Sequence, residues 1–291
     1  MTAVGRDFGI KAQNPQQPES YFKRVWKIED ESGKEFIVKL FVDQTEQDLK
    51  HHEVEIAVAS KINSKMHSLQ SVRFIPDKSG TVLHRVNAGH NNYYVLMDAH
   101  PIITKTELTS DEQRNLGKVM AEMHHALKDF HHKGLTLATY MRDVSEKDMD
   151  IIRSEFPDGG YESYIKYMKP LDYKELGLTL TTIQGDWHQQ NMSFTQPLFL
   201  FDLDTVSRGA GVEEIARTLT HWGIKPEEIK DFYTNLTEGY GLPEHEKQLV
   251  APLMIAQLYR KYAEFNEYND TQSKDEVKRK IAVVKEDFDL P

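Results

Sequence analysis

The chain has 291 residues, 28% of them charged and 39% hydrophobic, with a net charge of −10. That composition is globular and long enough for one large domain or two lobes, and its acidic balance argues against nucleic acid or an anionic membrane as the main partner. There is no cysteine, which removes disulfides, cysteine–zinc sites and thiol catalysis.

The start, MTAVGRDFGIKAQNPQQPES, lacks the apolar core of a signal peptide. No apolar run approaches the roughly 18 residues a membrane helix needs, so a cytoplasmic protein is expected. Residues 20–100 read as strand-rich. SYFKRVWKI and EFIVKLFV are alternating or β-branched runs joined by a polar, glycine-bearing turn. HHEVEIAVASKI has helical character, and TVLHRV and YYVLM read as two further strands. The texture changes after DAHPIITK at 98–105, the best candidate for a joint between lobes. TSDEQRNLGKVMAEMHHALKDFHH then predicts a long amphipathic helix with a capping box of Ser110 and Gln113. Helical patterns recur at about 143–155, 160–176, 211–222, 226–239, 243–268 and 273–288.

One strand-and-loop island, IQGDWHQQNMSF followed by PLFLFDLD, interrupts this helical half. An acid, an amide five residues on and an acid at a strand end suit phosphoryl transfer. Its transition state is loose and charge-dispersed, so catalysis is mostly positioning and neutralisation. Asp186 fits the acceptor of the hydroxyl proton. Asn191 and Asp202 are hard oxygen donors of the kind Mg²⁺ prefers. The 13 histidines include adjacent pairs but no zinc-type motif, and read as helix-surface and core residues.

QGDWHQQN followed by LFLFDLD resembles the catalytic loop and metal-binding segment of the aminoglycoside phosphotransferase and choline kinase-like superfamily. LGKVMAEMHHAL, with His124 near its end, and VEEIARTL are similar to that family's long helix and to the helix after its metal segment. The resemblance implies an α+β, two-lobed protein kinase-like fold. A small antiparallel-sheet N-terminal lobe with one helix, over 1–100, would bind the nucleotide. A larger, mainly helical lobe, over 101–291, would carry catalysis and the substrate. It implies ATP and Mg²⁺ as cofactors, Asp186 as base, and Asn191 and Asp202 as metal ligands. It also implies a strand lysine on the phosphates, Lys39, oriented by a helix glutamate; Glu55 is preferred to Glu53. Ser20, in NPQQPES where a phosphate loop would lie, is a candidate phosphate contact. The family usually has histidine at the position of Gln184, so this glutamine is expected to brace the loop by hydrogen bonding. His188 and Asp204 are assigned supporting roles, and Trp187 either lines the substrate mouth or packs under the loop.

The expected reaction moves the γ-phosphate of ATP to a hydroxyl of a small molecule, with neither nucleic acid nor membrane as partner and the oligomeric state open. A protein serine/threonine kinase, a nucleotide-binding pseudo-kinase and a metal-dependent hydrolase are the alternatives. In QLYRKYAEFNEYND, Glu264, Glu267 and Asp270 recur at i, i+3 steps among Tyr259, Tyr262, Phe265 and Tyr268. Read as one helix, this is an acidic ridge beside aromatic faces, which suits a cationic acceptor.

Overall fold

The computed structural model describes residues 2–16, 24–86, 90–138, 144–169, 171–267 and 270–290. In chain order the elements are α1 (Thr2–Phe8), β1 (Gln13–Gln16), β2 (Val25–Glu29), β3 (Glu35–Phe41), α2 (Glu46–Lys65), β4 (Leu69–Ser71), β5 (His84–Arg85) and β6 (Tyr93–Asp98). There follow α3 (Ser110–Leu127), α4 (Glu146–Glu155), β7 (Leu180–Ile183), β8 (Met192–Ser193), β9 (Leu198–Leu200), β10 (Ser207–Ala210), α5 (Gly211–His221), α6 (Ile229–Tyr240), α7 (Glu244–Glu267) and α8 (Thr271–Asp287). The α+β class expected from the sequence is observed.

The chain forms two compact units, residues 1–103, 132–134 and 192–204 in one and the remainder in the other. The first holds an antiparallel five-stranded sheet in the order β1-β2-β3-β6-β5. Side chains alternate along a strand with a period of two. Phe36, Val38 and Leu40 of β3 therefore share a face, where they join Val4, Ile28, Tyr94 and Leu96 in a core closed by α1. Ile37, Lys39 and Phe41 take the opposite face, and Phe41 stacks on His52 of α2 with ring centroids 3.8 Å apart. The helix begins with a capping box of Thr45 and Asp48 and buries His52, Glu55, Val58, Ala59 and Ile62 along one stripe. A smaller sheet, β4-β9-β8, belongs to the same unit. It takes β9 from far along the sequence and leaves Asp202 just beyond that strand's end.

The second unit is helical around the short ladder of β7 and β10. Its long helix starts one residue earlier than the sequence suggested: the box is Thr109 with Glu112, not Ser110 with Gln113. A carboxylate at the third helical position answers the N–H of Thr109, worth about 1 kcal/mol as a cap. Helices α3 and α6 cross with their backbones almost touching. A β-carbon at Gly117 would run into the carbonyl oxygen of Leu236, and one at Gly239 into that of Arg114. The helix expected at 160–176 is only a 3₁₀ segment, Glu162–Tyr167, before turns resume. No described helix is long and apolar enough to cross a membrane.

Candidate active site

Within the first unit, Lys39 points from β3 towards α2. Its Nζ lies 4.0 Å from Glu55 Oε1 and 3.3 Å from Asp202 Oδ1. Glu55 is buried at 3% exposure and is held by His52 Nδ1 at 2.8 Å, while His52 Nε2 meets Gln44 Oε1 at 2.7 Å. Burial acts against the lysine's charge, but Glu55, Asp202 and Asp204 outweigh it and raise its pKa. Burial likewise opposes ionisation of Glu55, and the His52 hydrogen bond and the Lys39 charge reverse that and lower its pKa. Glu53 instead faces Lys133 at 3.7 Å and is half exposed. Asp204 is exposed, and its backbone N–H donates to Asp202 Oδ1 at 3.2 Å. Its carbonyl faces His51 Nε2 at 2.5 Å. Ser20 lies outside the described residues.

Within the second unit, residues 184–191 form a tight loop after β7. Gly185 has φ of 85°, a left-handed conformation that favours glycine, and its N–H donates to Glu214 Oε1 at 2.6 Å. Gln184 is fully buried. Its side-chain oxygen accepts the Asp186 N–H at 2.5 Å, and its carbonyl accepts the Thr205 hydroxyl at 2.7 Å. The Asp186 carboxylate is ringed by donors. Asn191 Nδ2 is 3.0 Å from Oδ2 and also bonds the Asp186 carbonyl at 3.1 Å. His188 Nδ1 accepts the Gln190 N–H at 3.2 Å, which leaves the ring proton on Nε2 to donate to Asp186 Oδ2 at 3.2 Å. On the other oxygen, His221 Nδ1 is at 3.1 Å and Arg217 Nη2 at 3.5 Å. Burial works to raise the pKa of Asp186, but the two histidines and the arginine overcome it and hold the group far below the usual carboxylate range. Burial pushes His221 down to about 4.

Behind the loop is a buried polar layer. Glu214, with no exposed surface, also binds His124 of α3, whose other nitrogen meets the Tyr240 hydroxyl at 2.6 Å. Glu213 caps its own helix by accepting the Ala210 N–H at 2.7 Å and accepts from the Tyr173 hydroxyl at 3.3 Å. Burial pushes its pKa up to about 7.

On the substrate side, burial decides between the two readings of Trp187, and the acidic ridge is corrected. Trp187 has no exposed surface, so its indole packs beneath the loop and lines no mouth. The ridge across 264, 267 and 270 is broken, because α7 ends at Glu267 and Asp270 is the N-cap of α8. Asp270 accepts from the backbone and hydroxyl of Ser273 at 3.1 and 2.5 Å. Tyr259 and Tyr262 are core residues at 1% and 2% exposure. Glu264 is exposed, and the Glu267 side chain and Tyr268 lie outside what is described. An open cleft of about 800 Å³ adjoins the chain just after α5, lined by Lys225, Glu227, Gln272, Asp275, Glu276 and Arg279 among others. Its Gly223 abuts Gln189 of the Asp186 loop: a β-carbon there would lie 3.2 Å from Gln189 Nε2.

Arg217, His221 and the His124–Glu214 pair were not assigned from the sequence. Their signal was present, since polar residues at 214, 217 and 221 recur on one stripe of a helix that is otherwise almost wholly buried.

No family model matches the sequence, and no curated protein matches it. Solved structures do match across nearly the whole chain. An amicoumacin kinase in complex with AMP-PNP and Ca²⁺ superposes with a TM-score of 0.72 at 14% identity, over 99% of this chain and 92% of that one. A microcompartment-associated aminopropanol kinase gives 0.66 at 11% identity, over 98% and 97%. A choline kinase from Streptococcus pneumoniae gives 0.59 at 14% identity, over 97% and 96%. At such identities the likeness is one of fold: this chain shares the fold of these amicoumacin, aminopropanol and choline kinases.

Proposed function

We propose that the protein is a kinase that transfers the γ-phosphate of ATP to a hydroxyl of a small molecule. The observation that carries this reading is the Asp186 carboxylate, kept ionised in a loop that also presents Asn191. A hydrolase using carboxylates alone would leave the buried Lys39–Glu55 pair without a task. Lys39 binds the α- and β-phosphates, with Glu55 setting its direction. Asp186 orients the acceptor hydroxyl and takes its proton as the phosphoryl group departs.

Each unit, taken by itself, offers a hard oxygen donor of the kind a divalent ion takes. Asn191 spends its amide nitrogen on Asp186, so its amide oxygen is the donor it offers, and Asp202 supplies a carboxylate. Among the described residues no group of three or more His, Cys, Asp or Glu could hold a metal. The ion proposed is Mg²⁺, which prefers carboxylate and carbonyl oxygens of this kind. When bound, the ion neutralises charge on the phosphates.

The acceptor proposed is a small cationic alcohol. Support comes from neighbours named for an aminopropanol and choline, and from the cleft beside Gln189, where the acids Glu227, Asp275 and Glu276 stand against the bases Lys225 and Arg279. An ATP-consuming reaction of this kind belongs in the cytoplasm, where ATP is supplied. The test is ADP release from Mg-ATP with choline, aminopropanol, kanamycin, an uncharged sugar and a serine peptide offered separately. Turnover with an amino alcohol or aminoglycoside supports the proposal. Turnover with the sugar or the peptide alone replaces the acceptor class. Nucleotide binding without any turnover replaces the enzyme with a pseudo-kinase.

A further inference from the structure

Helix α5 meets the loop of Asp186 along a single stripe. Glu214, Arg217 and His221 follow at steps of three and four residues, which places them on one face. Glu214 takes the Gly185 N–H at 2.6 Å. One turn on, Arg217 Nη2 stands 3.5 Å from Asp186 Oδ1, and a turn further His221 Nδ1 stands 3.1 Å from the same oxygen. The loop's own donors, Asn191 and His188, both go to Oδ2. The loop therefore secures one oxygen, and the helix secures the other.

Rotation of the carboxyl group about its bond to the β-carbon moves both oxygens together, so the loop donors on Oδ2 and the helix donors on Oδ1 resist the same rotation from opposite sides. The two α5 contacts on Oδ1 add the second half of that restraint and tie the carboxylate to a helix as well as to its own loop. We infer that Arg217 and His221 are positioning residues that fix the plane of the Asp186 carboxylate, Arg217 by charge and His221 as a hydrogen-bond donor through Nδ1. As a mechanism for rate the inference rests on Asp186 being the proton acceptor; the clamp as a structure does not.

The two residues differ in kind. Arginine is charged at every relevant pH and reaches the oxygen at ion-pair distance. Histidine donates through Nδ1 only if its proton sits there, because a carboxylate brings none of its own. Its low pKa leaves it neutral near pH 7. The tautomer with the proton on Nδ1 is therefore a direct signature of the clamp. Asparagine can place its amide nitrogen where Nδ1 stands, whereas glutamine, one methylene longer, reaches instead to the position of Nε2. That contrast separates a donor at one point from general packing.

The experiment uses the full chain labelled with ¹⁵N-histidine at pH 7, with the His221 signal identified by its loss in His221→Asn. The proton is expected on Nδ1 in the wild type, and the signal is expected to change in Asp186→Ala, with Asp186→Asn as the second variant should alanine not fold. A proton on Nε2 of His221, or a signal indifferent to both substitutions, overturns the clamp whatever reaction the protein performs. With the first compound of the acceptor panel that is phosphorylated, His221→Gln and Arg217→Gln are expected to lower kcat by about 100-fold, the scale of a misplaced catalytic group. KM for ATP is expected to be unchanged, and His221→Asn to keep most of the activity. Equal kcat in His221→Gln and wild type, or loss in His221→Asn as deep as in His221→Gln, overturns the positioning role. If the panel gives no turnover, the proposed function falls while the tautomer result still decides the clamp.

Discussion

Asp186 shows how far the surroundings of one carboxylate can be read. Burial disfavours its charge, and four donors at 3.0–3.5 Å restore it. Replacing it with asparagine keeps the size and a hydrogen-bonding head but removes the basic oxygen. Asp186→Asn is therefore expected to lose about two to four orders of magnitude in phosphotransfer rate while its thermal stabilisation by Mg-ATP stays near wild type. Near-normal turnover would take Asp186 out of the mechanism. Glu213 is the opposite case, a carboxyl pushed from its ordinary 4.5 up to about 7 by burial. Below the lower value both folded and unfolded chains hold the proton. Between the two, the unfolded chain ionises and the folded chain does not, so stability falls as pH rises through that window. Glu213→Gln cannot ionise. Its melting temperature relative to wild type is expected to be higher at pH 8 than at pH 5, by an amount of order 1–3 kcal/mol in stability. A difference independent of pH would mean that Glu213 is charged in the folded protein.

Helices fared unevenly as readings of pattern. The long helix after residue 108 was legible because its apolar face, polar first turn and cap all agree, although the cap moved by one residue to a better acceptor. The run at 160–176 carries the same apolar spacing but settles as a short 3₁₀ segment, its tyrosines Tyr164 and Tyr167 buried. Periodicity reports which side chains face inward and not which hydrogen-bond ladder the backbone adopts. The close crossing of α3 and α6 is a further feature of packing, because Gly117 and Gly239 are each tolerable helix residues that become obligatory only when two backbones meet. Gly117→Val should lower stability by at least the roughly 1–3 kcal/mol typical of overpacking, since backbone atoms cannot step aside as side chains can. The measurement is a chemical denaturation midpoint; a midpoint equal to wild type would show that the helices separate freely.

The chain returns to its first compact unit for residues 192–204, so Asp202 joins Lys39 there although the sequence sets them far apart. On the proposed function, this arrangement would make nucleotide binding separable from catalysis by substitution. In thermal shifts with ATP, Asp202→Ala is expected to lose the Mg²⁺-dependent part of the stabilisation. Lys39→Ala is expected to weaken the whole response but keep its Mg²⁺ dependence. A ligand at 100 times its dissociation constant adds about 2.7 kcal/mol, so either loss is measurable. A wild-type response in Asp202→Ala would remove that residue from the metal site. The loop from Gln184 to Asn191 and the lysine in EFIVKLF could be picked out beforehand because their chemistry is local: an acid and an amide in one tight turn, and a charge inside an apolar strand. The α+β class was legible for a similar reason, since strand and helix periods are properties of short windows. Packing had to choose between Glu53 and Glu55, since both lie on one helix and only burial against β3 tells them apart. It also sent Tyr259, Tyr262 and Trp187 into the core and made Asp270 a helix cap. Arg217, His221 and the His124–Glu214 pair have meaning only where separate elements converge, because a side chain's partners are fixed by the fold and the spacing of residues along a helix gives only the direction in which to look.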